Sequence, residues 1–434
     1  MEMSRQAWNH PSRRPYRLVI LLVVSLMIFG SYFAYDSVGA IEDFLMKSMG
    51  LGQRDIGAMY SLYSWGAIFT LLAAGWLIDR SGTRRSSLIF SGVITLGAVV
   101  VALAPNAWTL LVGRFIFGAG SEALIVAQSA ILARWFKGRE LALAFGVSLT
   151  IMRLGTLFSF NTEALIAEML GASAALWVAA GLCLASALSN LVYVAMDRYA
   201  EPVIGLREEA AGDRIVWGEV FKFKKSYWYL TILCVCFYSA IFPFTALSTN
   251  FFHEKWGLPL AVVSDGGFLS AIFQNFRHMF TTAPGTTSII TFASMCFAPF
   301  AGALIDRIGR RASIMILGCV LMVVSYVVMA FSNIAPAMPM IVLGAAFVLV
   351  PAALWPAVPL LISQNRLGTA FGVMTLVQNV GLMAFPWLNG HLREMTSTYA
   401  ASMMMFAALG LVALLAGIFL KLDDLGKQSV LELP

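Results

Sequence analysis

The feature that most constrains this chain is a series of apolar stretches, each long enough to cross a lipid bilayer. A spanning helix needs about 20 apolar residues. Twelve such stretches are legible, at 17–42, 55–79, 86–105, 107–133, 140–167, 172–196, 227–252, 285–306, 312–332, 337–363, 367–391 and 397–421. Inside hydrocarbon the backbone must satisfy its own hydrogen bonds, so stretches of this length fold as helices. Charge is correspondingly scarce at 12% of residues, with 59% hydrophobic and a mean hydropathy of +0.81. A soluble domain carries roughly twice that share of charge.

The basic residues orient the helices. Of the 29 Lys and Arg, five (Lys47, Arg54, Lys255, Arg277, Arg393) fall on one side and two (Arg114, Arg153) within spans. All others lie at the N-terminus, in the loops after even-numbered spans and in the C-terminal tail. The positive-inside rule predicts that both termini are cytoplasmic. The same placement accounts for the net charge of +6 without a nucleic-acid partner. The basic start runs into a full-length span with no small-residue cleavage site, so no signal peptide is expected. No Asn-x-Ser/Thr acceptor occurs, which favours a bacterial inner (plasma) membrane.

The spans divide six and six. Residues 197–226, including "EPVIGLREEAAGDR", read as a cytoplasmic linker between an N-terminal bundle at 1–196 and a C-terminal bundle at 227–434. An internal repeat supports the division. "GWLIDRSGTRRSSL" (75–88) recurs as "GALIDRIGRRASIM" (302–315), and "AFGVSLTIMRLG" (144–155) as "AFGVMTLVQNVG" (370–381). The offsets are 227 and 226, whereas "GL" at 50–51 and 257–258 are offset by 207, so the second half carries an insertion. Within it, Phe268, Leu269, Ile272, Phe273, Phe276, Met279 and Phe280 recur at helical spacing. This predicts an amphipathic helix near 262–281, lying on the outer membrane surface or plugging the mouth between the two bundles. The fold expected is all-α integral membrane: twelve transmembrane helices in two six-helix bundles.

The two "GxLIDRxGxRR" loops and the "GRFIFGAG" run (113–120) resemble the signatures of the major facilitator superfamily, and the resemblance covers essentially the whole chain. Further runs resemble its branch of animal lysosomal dipeptide uniporters: "FGSYFAYDSVGAI" (29–41), "YSLYSWG" (60–66), "GRFIFGAGSEALIVAQ" (113–128), "RWFKGRELALAFGVSLTIMRLG" (134–155), "FPF" (242–244), "ALWP" (353–356) and "LGTAFG…VQNVGL" (367–382). The match departs after "FPF", where a basic residue is expected near Thr249, and in the amphipathic insertion. The lysosomal address and dependence on an accessory subunit are not carried over.

Ionisable groups within a bilayer are costly and mark function by default. Glu122 lies twelve residues before Arg134, and Arg153 thirteen after Glu140. At 1.5 Å per residue, both sit about 18–20 Å from the intervening loop, near the midplane. Spans four and five, joined by a short turn, are expected to be antiparallel neighbours. A dipeptide is a zwitterion: its carboxylate suits the fork of Arg153 and its ammonium suits Glu122. The resemblance implies the same two roles. The other reading is a buried ion pair between spans four and five.

Arg114 has two readings, a conformational or proton-coupling role implied by the resemblance, or hydrogen bonding to neighbouring carbonyls. Asp36, with Tyr35 beside it, is expected to contact substrate, carry a proton or pair with an arginine; the other reading is an acid near the outer water boundary. Tyr63, Phe242, Trp355, Gln378 and Asn379 are further candidates. Asn379 is the repeat partner of Arg153 and is expected to face the cavity. The resemblance implies that Asp79, Arg84, Arg85, Asp306, Arg310 and Arg311 gate the cytoplasmic rim, latching the halves in the outward-open state. The alternative is that these arginines only set topology.

The expected activity is transport of dipeptides or short zwitterionic peptides by alternating access, as a uniporter. The alternatives are a proton-coupled organic anion (monocarboxylate-type) or other small-solute symporter, and a non-transporting receptor or scaffold. No metal spacing, nucleotide loop or hydrolase triad occurs, so no enzyme and no cofactor are expected. The expected partners are the dipeptide substrate and the lipid bilayer, around a monomer.

Overall fold

A computed structural model describes residues 10–432, except 12, 137–139, 205–216, 221, 264–265, 364–365 and 427–429. Twelve helices are long and apolar enough to span: Arg14–Ala40, Gln53–Ile78, Arg80–Ala102, Ala107–Phe136, Leu143–Leu170, Ala172–Ile204, Lys225–Ala246, Ala283–Ile305, Arg311–Phe331, Ala337–Leu361, Leu367–Thr396 and Ala400–Leu425. They are numbered one to twelve in that order. Each overlaps its sequence-derived stretch. The face where span one begins and span twelve ends is the terminal face; its opposite is the distal face.

Two buried apolar cores organise the helices. One is built from Tyr16 to Ala200 and closed by Ala246 and Leu247. The other runs from Phe223 to Leu431. They are the two six-helix bundles. The repeated segments also turn alike: Gly82, at a kink near the start of span three, has φ 76°, and Gly309, between spans eight and nine, φ 69°. Both sit in the left-handed region open to glycine.

Three boundaries differ from the sequence reading. Span six runs on to Ile204 rather than ending at 196, because Asp197 and Glu201 on its last turns accept ion pairs from Arg84. The proposed linker thus begins later, and 205–216 lie outside the described residues. Span seven stops at Ala246, where Leu247 leaves helical geometry, and Ser248–Trp256 forms a separate helix. The amphipathic insertion is helical only over Phe268–Arg277, with turns on either side. Leu269 and Phe273 are exposed there, and Phe276 meets Phe158 of span five edge-on at 5.0 Å. Asn275, off the apolar stripe, is buried: it clamps the backbone N–H and carbonyl of Val262 at 3.0 and 2.8 Å.

The bundles meet through spans two and eleven and spans five and eight. Their contact is tight on the distal side. A Cβ on Gly57 would lie 2.3 Å from the Pro386 carbonyl, and one on Gly390 2.3 Å from that of Gln53. Hydrogen bonds cross the same seam: Trp387 N to Ser61 Oγ (3.2 Å), Arg54 N to Glu394 Oε1 (3.0 Å) and Asn161 Nδ2 to Ser288 Oγ (2.9 Å). Toward the terminal face the seam parts. Phe145 and Leu149 are exposed, and a Cβ on Gly146 or Gly302 would meet no neighbour. The molecule is therefore closed distally and open toward its termini.

Candidate substrate-binding site

Between the bundles lies a cavity of about 590 Å³. That is the size of an ordinary small-molecule site. Its walls come from spans one, two, four, five, seven, eight, ten and eleven, so both bundles contribute. Most of the lining is apolar and aromatic, with a few convergent polar groups.

Glu122 and Arg153 both line it, but they are not joined to each other. Among the described residues no ion pair links them. Tyr63 Oη donates to Glu122 Oε1 at 3.1 Å. Arg153 donates to Ser294 Oγ of span eight and lies with its guanidinium 5.0 Å from the Phe347 ring centroid of span ten. Ser294 donates its own hydroxyl hydrogen bond to the Thr291 carbonyl at 2.7 Å, leaving its oxygen free to accept. The cation of the first bundle therefore reaches across to the second. Spans four and five touch only slightly: span four packs on spans two and three, span five on spans one and eight. The two spans are in contact, as antiparallel neighbours are expected to be, but neither packs chiefly on the other. A helix in a bundle takes its partners from the shape of its faces, and a short loop does not impose them.

Asp36 also lines the cavity, and Thr156 Oγ1 donates to its Oδ2 at 2.6 Å. Tyr35 and Tyr63 pack edge-to-face at 4.7 Å on the same wall. Across from them, Phe242 stacks on Tyr238 at 5.8 Å, and Trp355 Nε1 donates to Tyr238 Oη at 3.0 Å. Gln378 faces the cavity. Asn379 does not: it is buried in its own bundle, donating to the Thr375 carbonyl at 3.1 Å. The reason is helical phase. Neighbouring residues point about 100° apart, and the face toward the cavity belongs to Gln378.

Arg114 is almost wholly buried behind this wall rather than in it. It donates to the carbonyls of Ala34 and Tyr35 at 3.2 and 3.3 Å. The rings of Tyr35, Tyr60, Tyr63 and Phe117 surround its guanidinium at 4.8–5.5 Å. Cation–π contacts of this kind strengthen when desolvated. Arg114 thus ties span one to span four and props the tyrosines that face the cavity.

At the terminal rim, Arg84 pairs with Asp197 and with Glu201 (2.6 Å), inside its own bundle. Asp197 also accepts from Arg134 and from Trp135 Nε1 at 2.8 Å. Arg85 and Arg310 are exposed, and the Arg311 amide bonds the Leu431 carbonyl at 2.7 Å. The side chains of Asp79 and Asp306 lie outside what is described. No latch between bundles forms among the described rim residues in this state, as fits a molecule open on that side.

Sequence reasoning missed Tyr238, Ser294, Phe347 and Thr156. A signal existed for one of them: Thr287, Ser288, Thr291 and Ser294 recur at helical spacing in an otherwise apolar span.

Twelve spans in two bundles, a cavity shared between them and one closed face are the architecture of a membrane transporter. The chain belongs to the major facilitator superfamily, whose family model matches residues 24–283 and 266–432. More particularly, it is 32% identical to the lysosomal dipeptide transporter MFSD1 of Danio rerio, over 98% of this chain and 90% of that protein. The Homo sapiens protein of the same name is also 32% identical, over 86% of this chain and 79% of that protein. In fold, it is similar to the crystal structure of the peptide transporter POT in complex with alafosfalin (TM-score 0.73, 14% identity, 95% of each chain).

Proposed function

We propose that this protein carries dipeptides or similarly short zwitterionic peptides across a membrane as a uniporter. The observation that carries this reading is that Glu122 and Arg153 face one cavity with opposite charges and no bond between them. A pair of that kind has one ligand-free oxygen pole and one guanidinium pole to offer. An extended dipeptide spans about 7 Å between its ends, at roughly 3.3–3.6 Å per residue. Its ammonium goes to Glu122 beside Tyr63, and its carboxylate to Arg153, in place of or alongside Ser294. The aromatic residues Phe242, Trp355 and Tyr35 line the room left for side chains, and Gln378 adds an amide. Asp36 on Thr156 shapes the wall near the ammonium end. The named activity of the MFSD1 relatives agrees with this cargo.

Alternating access follows from the geometry. The bundles rock about the bound peptide, the distal seam parts, and the rim residues Arg84, Arg85, Arg310 and Arg311 approach across the closing terminal side with Asp79 and Asp306. The distribution of Lys and Arg supports a cytoplasmic terminal face, and the lack of glycosylation acceptors supports a bacterial plasma membrane. An organic anion would use Arg153 but would leave Glu122 without a partner, so the zwitterion is favoured.

Uptake into proteoliposomes tests the reading. Saturable flux of a dipeptide such as Ala-Ala, unchanged by collapsing a pH gradient, is the expected result. Flux of monocarboxylates with none of any dipeptide would refute it.

A further inference from the structure

The distal seal contains two adjacent carboxyl groups that the transport reading does not use. Glu42 and Asp43 open the short helix Glu42–Met49 between spans one and two. Glu42 is fully buried. Both face Asn250, in the helix Ser248–Trp256 of the other bundle. Asn250 N donates to Glu42 Oε1 at 2.6 Å, and its side-chain amide donates to Asp43 Oδ1. Tyr399 in turn donates to the side-chain amide oxygen of Asn250. Each carboxyl nonetheless keeps one buried oxygen, Glu42 Oε2 and Asp43 Oδ2, outside any full hydrogen bond, although the buried Gln53 amide lies close enough to Glu42 to offset part of its charge.

Among the described residues no Lys or Arg pairs with either carboxyl, and His253 offsets the charge on Asp43 only in part. Arg393 is spent on Glu254 and stacks on Tyr399 at 4.4 Å. Lys255 donates to the carbonyls of Met329 and Ala330. The other ionisable groups facing the pair are Glu254, His253, Tyr399 and Tyr60. Span six, which also touches the short helix, contributes no charged residue at that end. Two bare carboxylates side by side in a dry seam cost several kcal/mol. A proton on one of them removes the repulsion and gives its orphan oxygen a hydrogen to donate.

We infer that the Glu42–Asp43 pair is a proton-binding site of the closed distal gate, taking up protons from the distal side as the gate shuts and returning them to the same side as it opens. No proton crosses the membrane, so the device is compatible with uniport. It sets which face is open, and it stands independently of the cargo. Burial pushes Glu42 well above the usual carboxylate range, and Asp43 adds to the effect, while the Asn250 bond only partly offsets it. Asp43 is raised too, again chiefly by burial. The sign follows. The closed state binds more protons, so acid favours closure, and closure weakens as pH rises through the raised values.

The test is a distance measurement without any peptide. Spin labels at Ser48→Cys and Met395→Cys, both exposed on opposite bundles at the distal mouth, are placed in protein with the exposed Cys296→Ser. Double electron–electron resonance in nanodiscs is recorded from pH 5 to pH 8. The long-distance, distally open fraction is expected to rise about tenfold relative to the closed fraction, the effect of one carboxyl whose proton affinity differs tenfold between states. Glu42→Gln with Asp43→Asn keeps the Asn250 contacts without a titrating proton, and is expected to stay closed across the range. Glu163, a buried and unpartnered carboxyl in span five, is the control. Glu163→Gln is expected to leave the response intact. A wild-type distribution that ignores pH overturns the inference. So does a full response in the double variant, or its loss in Glu163→Gln alone.

Discussion

Glu122→Gln gives the sharpest test of how the cavity would hold a peptide. Among the described residues, Glu122 is engaged at one oxygen, by Tyr63 at 3.1 Å. Because no ion pair with Arg153 is broken, the variant folds, and the Tyr63 bond survives on the amide oxygen. What disappears is the charge-assisted bond to the peptide ammonium. Such a bond contributes about 1.5–3 kcal/mol, which is roughly a ten- to hundredfold change in Kd. A weaker binder alone proves little, so the ligand is varied as well. N-acetylation of the dipeptide removes the same ammonium, and is expected to weaken binding to wild type by a similar factor. In Glu122→Gln the two losses share one cause, and acetylation is expected to cost little more. Isothermal titration calorimetry in detergent, over the four combinations, reads the coupling directly. If acetylation costs as much in the variant as in wild type, Glu122 does not hold the ammonium, and the argument from two unpaired poles fails.

Three further outcomes follow from the same geometry. Arg153→Lys keeps the charge but loses the fork, so binding of free dipeptides falls roughly tenfold, while C-terminally amidated peptides bind both proteins alike in the same titration. Gly57→Val puts side-chain atoms where a Cβ would already lie 2.3 Å from the Pro386 carbonyl; the distal side cannot close, and proteoliposome uptake is lost while binding persists. Asp197→Ala leaves Arg84 and Arg134 without their shared carboxylate, and removing one partner of a buried pair costs about 3–5 kcal/mol. Its melting temperature by intrinsic fluorescence falls by several degrees.

The fold was legible because bilayer physics acts on length and composition. Twelve apolar stretches, the sided placement of Lys and Arg and one repeat were enough to define two six-helix bundles. Helix phase was not legible. A span such as Ala337–Leu361 is apolar all round, so hydropathy does not say which side meets lipid, neighbour or cavity. That is why Asn379 was placed a step of about 100° away from where it points, and why Phe347 went unseen. The charges were easier. Glu122 and Arg153 stood out as ionisable groups at mid-depth, and the cavity includes both. Their relation was not readable, because it depends on Ser294 and Tyr63, ordinary polar residues whose role comes only from position. The stop of span seven at Leu247 and the burial of Asn275 likewise depend on tertiary neighbours.

One feature of the cavity bears on the medium around it. Arg153 rests on a hydroxyl and a ring, and Glu122 on a phenol, so among the described residues neither charge meets a full counter-charge. Each pole is then open to the ions of the buffer. A halide competes at the guanidinium, and an alkali or ammonium ion at the carboxylate, with no need for the two to act together. Apparent peptide affinity will therefore depend on the identity of the background electrolyte as well as on its strength. Exchanging chloride for a bulky anion should sharpen binding through one end of the peptide only, and exchanging sodium for a bulky cation through the other.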